Sequence, residues 1–244
     1  MDHWFRTTRN TGGRCGVCGE LWEHANHKEQ HKMVTRPEIY VGIDPGSKNC
    51  ALVAFSPIKG LITTWKPKGS MPSGVLRLRR LMVEIDDELR KLDNVGRVCR
   101  IAMEAYSMAE KFGQHASGEI GATIKLTVLA HLGADDRRAY PVLVAPQQLK
   151  KFASGNGNTK KEMMPKEVYK RWGLDFNDTN LAEAYILARI AHAVDADPEM
   201  TQFQRDVVKA LETRTEWEPT LATVLVPKRR LARVGGRGAV GTRP

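Results

Sequence analysis

From Pro37 onward the chain changes from scattered polar residues to short apolar runs broken by turn formers. Residues 39–44 (IYVGID), 51–55 (ALVAF) and 61–65 (LITTW) read as three consecutive strands, with Gly, Pro, Ser and Lys between them. Next, Val75, Leu78, Met82, Ile85, Leu89 and Leu92 recur at steps of three and four. That period predicts a helix burying this face, with Arg77, Arg79 and Arg80 projecting elsewhere. Residues 98–106 (VCRIAMEAY) predict a fourth strand, 115–132 a helix, and 140–146 (YPVLVAP) a fifth strand. A short helix is expected from Gln147, and a mobile, basic, Gly-rich loop across 153–161 (ASGNGNTKK). Helices follow near 161–172 and 180–194, with a weaker one at 198–213. Three antiparallel-looking strands, then alternating helices and strands, predict an α/β fold: a mixed five-stranded sheet flanked by helices.

Charge narrows the class of partner. The 244 residues carry a net charge of +10, with a pI of about 9.6. So basic a chain calls for a polyanion, with nucleic acid ahead of a membrane surface. No apolar run approaches the ~20 residues of a membrane span. The start, MDHWFRTTRN, lacks the apolar core of a secretory signal, so a cytoplasmic, nucleoid-associated protein is expected. Four cysteines in such a chain argue for free thiols or metal ligands rather than disulfides. Three regions are expected: residues 1–36, rich in Cys and His; a domain over 37–213; and a tail over 214–244. The last 18 residues hold six basic side chains, no acidic ones and four glycines, a composition of disorder.

The acidic residues carry the chemistry. Asp44 ends the first strand and Glu104 closes the fourth, so their side chains meet if those strands lie side by side and parallel. Glu183 is the only charged residue across 179–188, between Ala182 and Ala184, whose small side chains let a helix approach the sheet. A buried carboxylate is costly unless it is paired, hydrogen-bonded or bound to a metal. Three of them in apolar settings suit a hard divalent cation such as magnesium. Each also has an ordinary structural use. Asp44 can brace the DPGS turn, Glu104 can be a surface residue at a strand end, and Asn180 with Glu183 matches a capping box.

Four segments, VGIDPGSKNCALVAF, IAMEAY, PQQLKKFASGNGNTKKEMM and NLAEAYILARIAHA, resemble those of the RuvC-type Holliday junction resolvases, in the same order and spacing, over residues 40–194. The third is the most specific, with a proline-led helix, a K-x-x-x-x-G-x-G loop and a following lysine. The resemblance implies a ribonuclease H-like fold, a homodimer, and magnesium- or manganese-dependent cleavage of four-way or branched DNA, leaving 5′-phosphate and 3′-hydroxyl ends. It assigns Asp44, Glu104 and Glu183 to the metal site. Asn180 stands where many members carry an additional Asp, and it offers a neutral carbonyl oxygen in place of a charge. Asp178, five residues before Glu183, is expected to be a cap or an outer-shell group. Lys150 and Lys161 match the phosphate-contacting lysines, and Lys161 can also neutralise charge on the reacting phosphate. Tyr106 or Phe112 stands for the aromatic residue that stacks at the junction centre.

Outside that resemblance, Cys15, Cys18, His27 and His31 form Cys-x2-Cys-x8-His-x3-His, the pattern of a structural zinc site, with His24 able to replace one imidazole. Cys50 and Cys99 fall on predicted strands and read as small core residues. Two other functions remain to be weighed. One is a zinc-bearing DNA-binding protein on a catalytically weak resolvase-like core, suggested by Asn180. The other is an actin-like or sugar-kinase ATPase, because GIDPGSKN also resembles a phosphate loop. That reading requires a second D-x-G hairpin, which residues 56–244 lack.

Overall fold

A computed structural model describes residues 36–46, 49–70, 72–105, 114–133 and 136–212. The expected zinc ligands, Tyr106, Phe112 and the basic tail lie outside the described residues. Five strands form one sheet: β1 (Glu38–Asp44), β2 (Ala51–Ser56), β3 (Gly60–Trp65), β4 (Arg97–Glu104) and β5 (Val142–Val144), in the order β3-β2-β1-β4-β5. The first three are antiparallel neighbours, whereas β1–β4 and β4–β5 are parallel. The helices are α1 (Gly74–Val95), α2 (Gln114–Leu132), α3 (Pro146–Ser154), α4 (Met164–Trp172), α5 (Thr179–Ala196) and α6 (Gln202–Glu212).

Strand alternation sorts the core into two layers. Ile39, Val41, Ile43, Ile101 and Met103 face one side, where α1 and α2 cover them. Tyr40, Val53, Phe55 and Ala102 face the other, against α3 to α6. Asp44 continues the Tyr40–Gly42 side, and Glu104 the Ala102 side, so both carboxylates point toward α5. Helix α5 is buried around almost its whole circumference, from Ala182 to Ala193. A helix this apolar belongs in the middle of a domain, and α5 packs across β1, β2 and β4.

Its closest approach is made at Gly42. A Cβ placed there would lie 1.9 Å from the carbonyl oxygen of Ala184 and 2.4 Å from the amide nitrogen of Ala188. Only a residue without a side chain lets the α5 backbone sit this near β1.

Some expectations need correction. Helix α1 buries Leu81, Ile85, Glu88, Leu89 and Leu92, while Val75 is 78% exposed and Met82 is exposed as well. Two overlapping stripes share the three-and-four spacing, and packing against α2 and the sheet selects the one through Leu81. The loop over 153–161 carries its own network of hydrogen bonds. Ser154 Oγ donates to Lys150 O (2.9 Å), Asn156 N–H donates to Ser154 Oγ (3.1 Å), and Thr159 Oγ1 donates to Asn156 O (2.8 Å). Gly155 ends α3 in the left-handed region, at φ 85°. Cys50 and Cys99 are buried free thiols as expected, although Cys50 sits just ahead of β2.

Candidate metal centre

The parallel pairing of β1 with β4 sets Ile43 opposite Met103, so the next residues, Asp44 and Glu104, end their strands side by side. Glu183, in the second turn of α5, completes the group: one oxygen of each carboxylate lies within 4.8 Å of the other two. Asp44 and Glu183 are 3% and 4% exposed, and Glu104 is partly buried. The conditional expectation that strands one and four run parallel is therefore met, and α5 brings in the third acid.

The two oxygens of Asp44 do different things. Oδ1 accepts the Gly46 N–H at 3.2 Å, so the turn-bracing use is real. Oδ2 is buried with no hydrogen-bond donor among the described residues. Glu104 is not the surface residue it could have been. The capping-box use of Glu183 is also replaced: the N-cap of α5 is Asp178, whose Oδ1 accepts from the N–H groups of Asn180 (2.9 Å) and Leu181 (3.0 Å). Glu183 is thereby released from any capping duty. Asn180 lies one turn before Glu183, on the same side of α5.

Lys161, in the 3₁₀ turn preceding α4, reaches into the cluster. Its Nζ is 2.5 Å from Glu183 Oε2 and 3.9 Å from Asp44 Oδ2. Burial pulls its ammonium down, but the ion pairs with Glu183 and Asp44 outweigh this and hold it above its ordinary value. Lys150 on α3 adds positive potential at Glu104 and Glu183. Lys66, at the end of β3, is a residue that the sequence pattern did not single out. It forms an ion pair with Asp178 Oδ2 and so ties the start of α5 to the sheet.

Electrostatics show what the cluster lacks. Burial, reinforced by the other carboxylates, pushes Glu104 up to about 8. Burial raises Asp44 to about 6 against the pull of Lys161, and it also raises Glu183. One ammonium does not neutralise three close carboxylates. A divalent ion would do so, and it would satisfy the orphaned Asp44 Oδ2. The donors are hard oxygens, as magnesium or manganese requires.

No protein-family model matches this sequence, and no curated protein matches it. Among solved structures, the Thermus thermophilus RuvC structure aligns with a TM-score of 0.51 at 16% identity, covering 72% of this chain and 98% of RuvC. This protein has a RuvC-like fold. A structure of T. thermophilus RuvC in complex with a Holliday junction substrate aligns with a TM-score of 0.49 at 19% identity, covering 62% and 90% of the two chains. Within this fold Asp44 and Glu104 end two adjacent parallel strands, and α5 brings Glu183 to them. No helix among the described residues is long and apolar enough to cross a membrane.

A test of the electrostatics follows. The ordinary value for Glu104 is 4.5, and in the fold it is about 8. Its contribution to stability is therefore complete below about pH 4 and is lost as pH rises through 8. In metal-free protein at pH 8.5, Glu104→Gln should be more stable than wild type by on the order of a few kcal/mol, with the difference closing near pH 4. Magnesium should narrow the gap by stabilising wild type more than the variant, which has one carboxylate fewer. Parallel curves of Tm against pH for the two proteins would contradict this reading.

Proposed function

We propose that this protein is a divalent-metal-dependent endonuclease that cuts four-way or branched DNA. The observation that carries the proposal is the convergence of Asp44, Glu104 and Glu183, from three distant segments, beside Lys161 on a RuvC-like fold. The basic charge supports a DNA substrate. In this reading Asp44, Glu104 and Glu183 hold magnesium, with Asn180 available as a neutral ligand. The bound metal would activate water and stabilise the leaving oxygen of an in-line displacement at phosphorus. Lys161 would counter charge growing on the phosphate, Lys150 and Lys161 would hold the backbone, and Tyr106 would stack on a base.

The rest of the arrangement is also a proposal. Residues 1–36 would form the zinc module, with zinc held by Cys15, Cys18, His27 and His31. Residues 37–213 would form the nuclease domain, and 214–244 would be a basic tail adding weakly selective DNA affinity. A homodimer is supported by the exposed Val75, Leu76, Met82 and Val83 on α1, an apolar stripe suited to burial between two copies. Against an ATPase, the described residues hold a single five-stranded sheet and no second lobe.

The deciding experiment is incubation of the protein with a synthetic four-way junction and with a linear duplex of the same sequence, with magnesium or with chelator. Cleavage of the junction only with magnesium is expected. Tight binding without cleavage would favour the DNA-binding reading instead.

Glu183 and Asn180 provide a finer test. Since Asp178 caps α5, Glu183→Gln should fold normally and lower cleavage by about 10²-fold or more, as loss of one charge-stabilising group does. Asn180→Asp should maintain or raise activity, or lower the magnesium required. Full activity with unchanged magnesium dependence in Glu183→Gln would remove Glu183 from the site.

A further inference from the structure

A second concave region lies near the other end of α5. His192 is nine residues beyond Glu183, about 13 Å along the helix. A cavity of about 380 Å³ opens here between α3, the end of α4, α5 and the segment leading into α6. Its lining includes Arg171, Trp172, Arg189, His192 and Gln204, together with the exposed Glu199.

The two arginines are the unusual feature. Both guanidinium carbons lie close to the Trp172 ring, at 5.9 Å for Arg171 and 5.3 Å for Arg189. Arg171 also lies 4.9 Å from the Phe203 ring, and Arg189 4.4 Å from Phe55. Aromatic faces fix the two forks without neutralising them. Arg171 donates its Nε–H to Ala153 O at 2.7 Å, which leaves its terminal nitrogens to face elsewhere. Among the described residues no carboxylate lies within ion-pair distance of either arginine, whereas Arg80, Arg90, Arg97 and Arg138 each pair with one. Burial pulls Arg171 below its ordinary value, against the opposing charge of Glu167 on the same helix.

We propose that this cavity is a binding site for a small phosphomonoester, held between the guanidiniums of Arg171 and Arg189. A phosphomonoester carries close to two negative charges at neutral pH, which matches two guanidiniums, whereas one carboxylate would leave a charge uncompensated. Planar guanidinium forks suit phosphate oxygens in paired hydrogen bonds. The volume lies within the range of small-ligand pockets and exceeds what phosphate alone would fill. The remaining space admits an organic substituent of up to about mononucleotide size. Base stacking on Trp172 is not part of the proposal, because Phe152 already stacks on that ring.

The test is calorimetric titration of metal-free, full-length protein at constant ionic strength, with inorganic phosphate in one arm and deoxyadenosine 5′-monophosphate in the other. One saturable site is expected. Tighter binding of the nucleotide assigns the spare volume to its nucleoside, and equal binding assigns the site to the phosphoryl group alone; both support the proposal. Arg189→Gln and Arg171→Gln should each weaken binding at least about tenfold, the scale of one lost charge-assisted hydrogen bond. Arg189→Lys keeps the charge without the fork and should bind with intermediate strength. It also serves as the comparison if Arg189→Gln does not fold. Absence of saturable binding overturns the proposal. So does binding that is unchanged in the variants, which would place the phosphate on other basic surfaces such as the tail.

Discussion

Asp44→Asn should abolish magnesium-dependent cleavage while junction binding stays near wild type or tightens. Asp44 combines three properties, of which asparagine can reproduce only the last. Its Oδ2 is buried, carries charge, and lacks a donor among the described residues. It lies within 4.8 Å of oxygens from Glu104 and Glu183. Its Oδ1 accepts the Gly46 N–H, which fixes the side chain at the turn. Asparagine can retain the Gly46 contact through its carbonyl, so the fold should persist. The other arm becomes an amide, which presents N–H groups to the place where a cation would sit. Metal-derived charge stabilisation is worth several kcal/mol, and about 4 kcal/mol corresponds to a 10³-fold loss of rate. In the proposed reading binding would depend on Lys150, Lys161 and other basic groups, and removing one negative charge from the site reduces repulsion of phosphate. Single-turnover cleavage and a binding titration on the same junction separate the two effects. A mutant that cuts within about tenfold of wild type would exclude Asp44 from the chemistry.

Gly42→Ala should cause the largest loss of stability of any Gly→Ala change among the described glycines. The new Cβ would be 1.9 Å from Ala184 O, 2.4 Å from Ala188 N and 2.8 Å from Leu187 Cβ. Two of these three atoms are backbone, so no rotamer change relieves the clash. Either α5 moves outward or β1 bends. Overpacking ordinarily costs about 1–3 kcal/mol, and backbone contacts this short place the cost at or above about 3 kcal/mol. For a domain of this size, that lowers Tm by roughly 10 °C. Glu183 rides on the displaced helix, so cleavage should fall even at temperatures where the variant remains folded. Thermal unfolding together with cleavage at low temperature measures both effects. A Tm within about 2 °C of wild type would show that α5 does not need the close approach.

Much of this architecture is local in origin, and local patterns were readable. Short apolar runs bounded by turn formers placed the five strands, and three-and-four spacing placed α1, because the 3.6 period follows from backbone geometry alone. Asp44 and Glu104 stood out because a charged residue at the end of an apolar strand breaks that pattern. Glu183 stood out for the same reason within an apolar helix. The roles of neighbouring residues were less legible. Asn180 and Glu183 have the spacing of a capping box, yet Asp178 takes the cap, since two N–H groups converge on its Oδ1 and Lys66 holds its other oxygen. Lys66 is 112 residues away from Asp178, a separation that no periodicity encodes.

The stripe on α1 shows the same limit. Its residues fit a buried face through Val75 and Met82 as well as one through Leu81, and only the neighbours of the helix distinguish them. The sequence by itself determined the order of elements and the three acids, because each depends on residues a few positions apart. Tertiary structure decided that those acids share one site, that Lys161 enters it, and that Arg171 and Arg189 meet around Trp172. Those facts depend on which distant surfaces pack together, and packing depends on shape in three dimensions: the missing Cβ of Gly42 brings α5 down onto β1, and with it Glu183 toward Asp44.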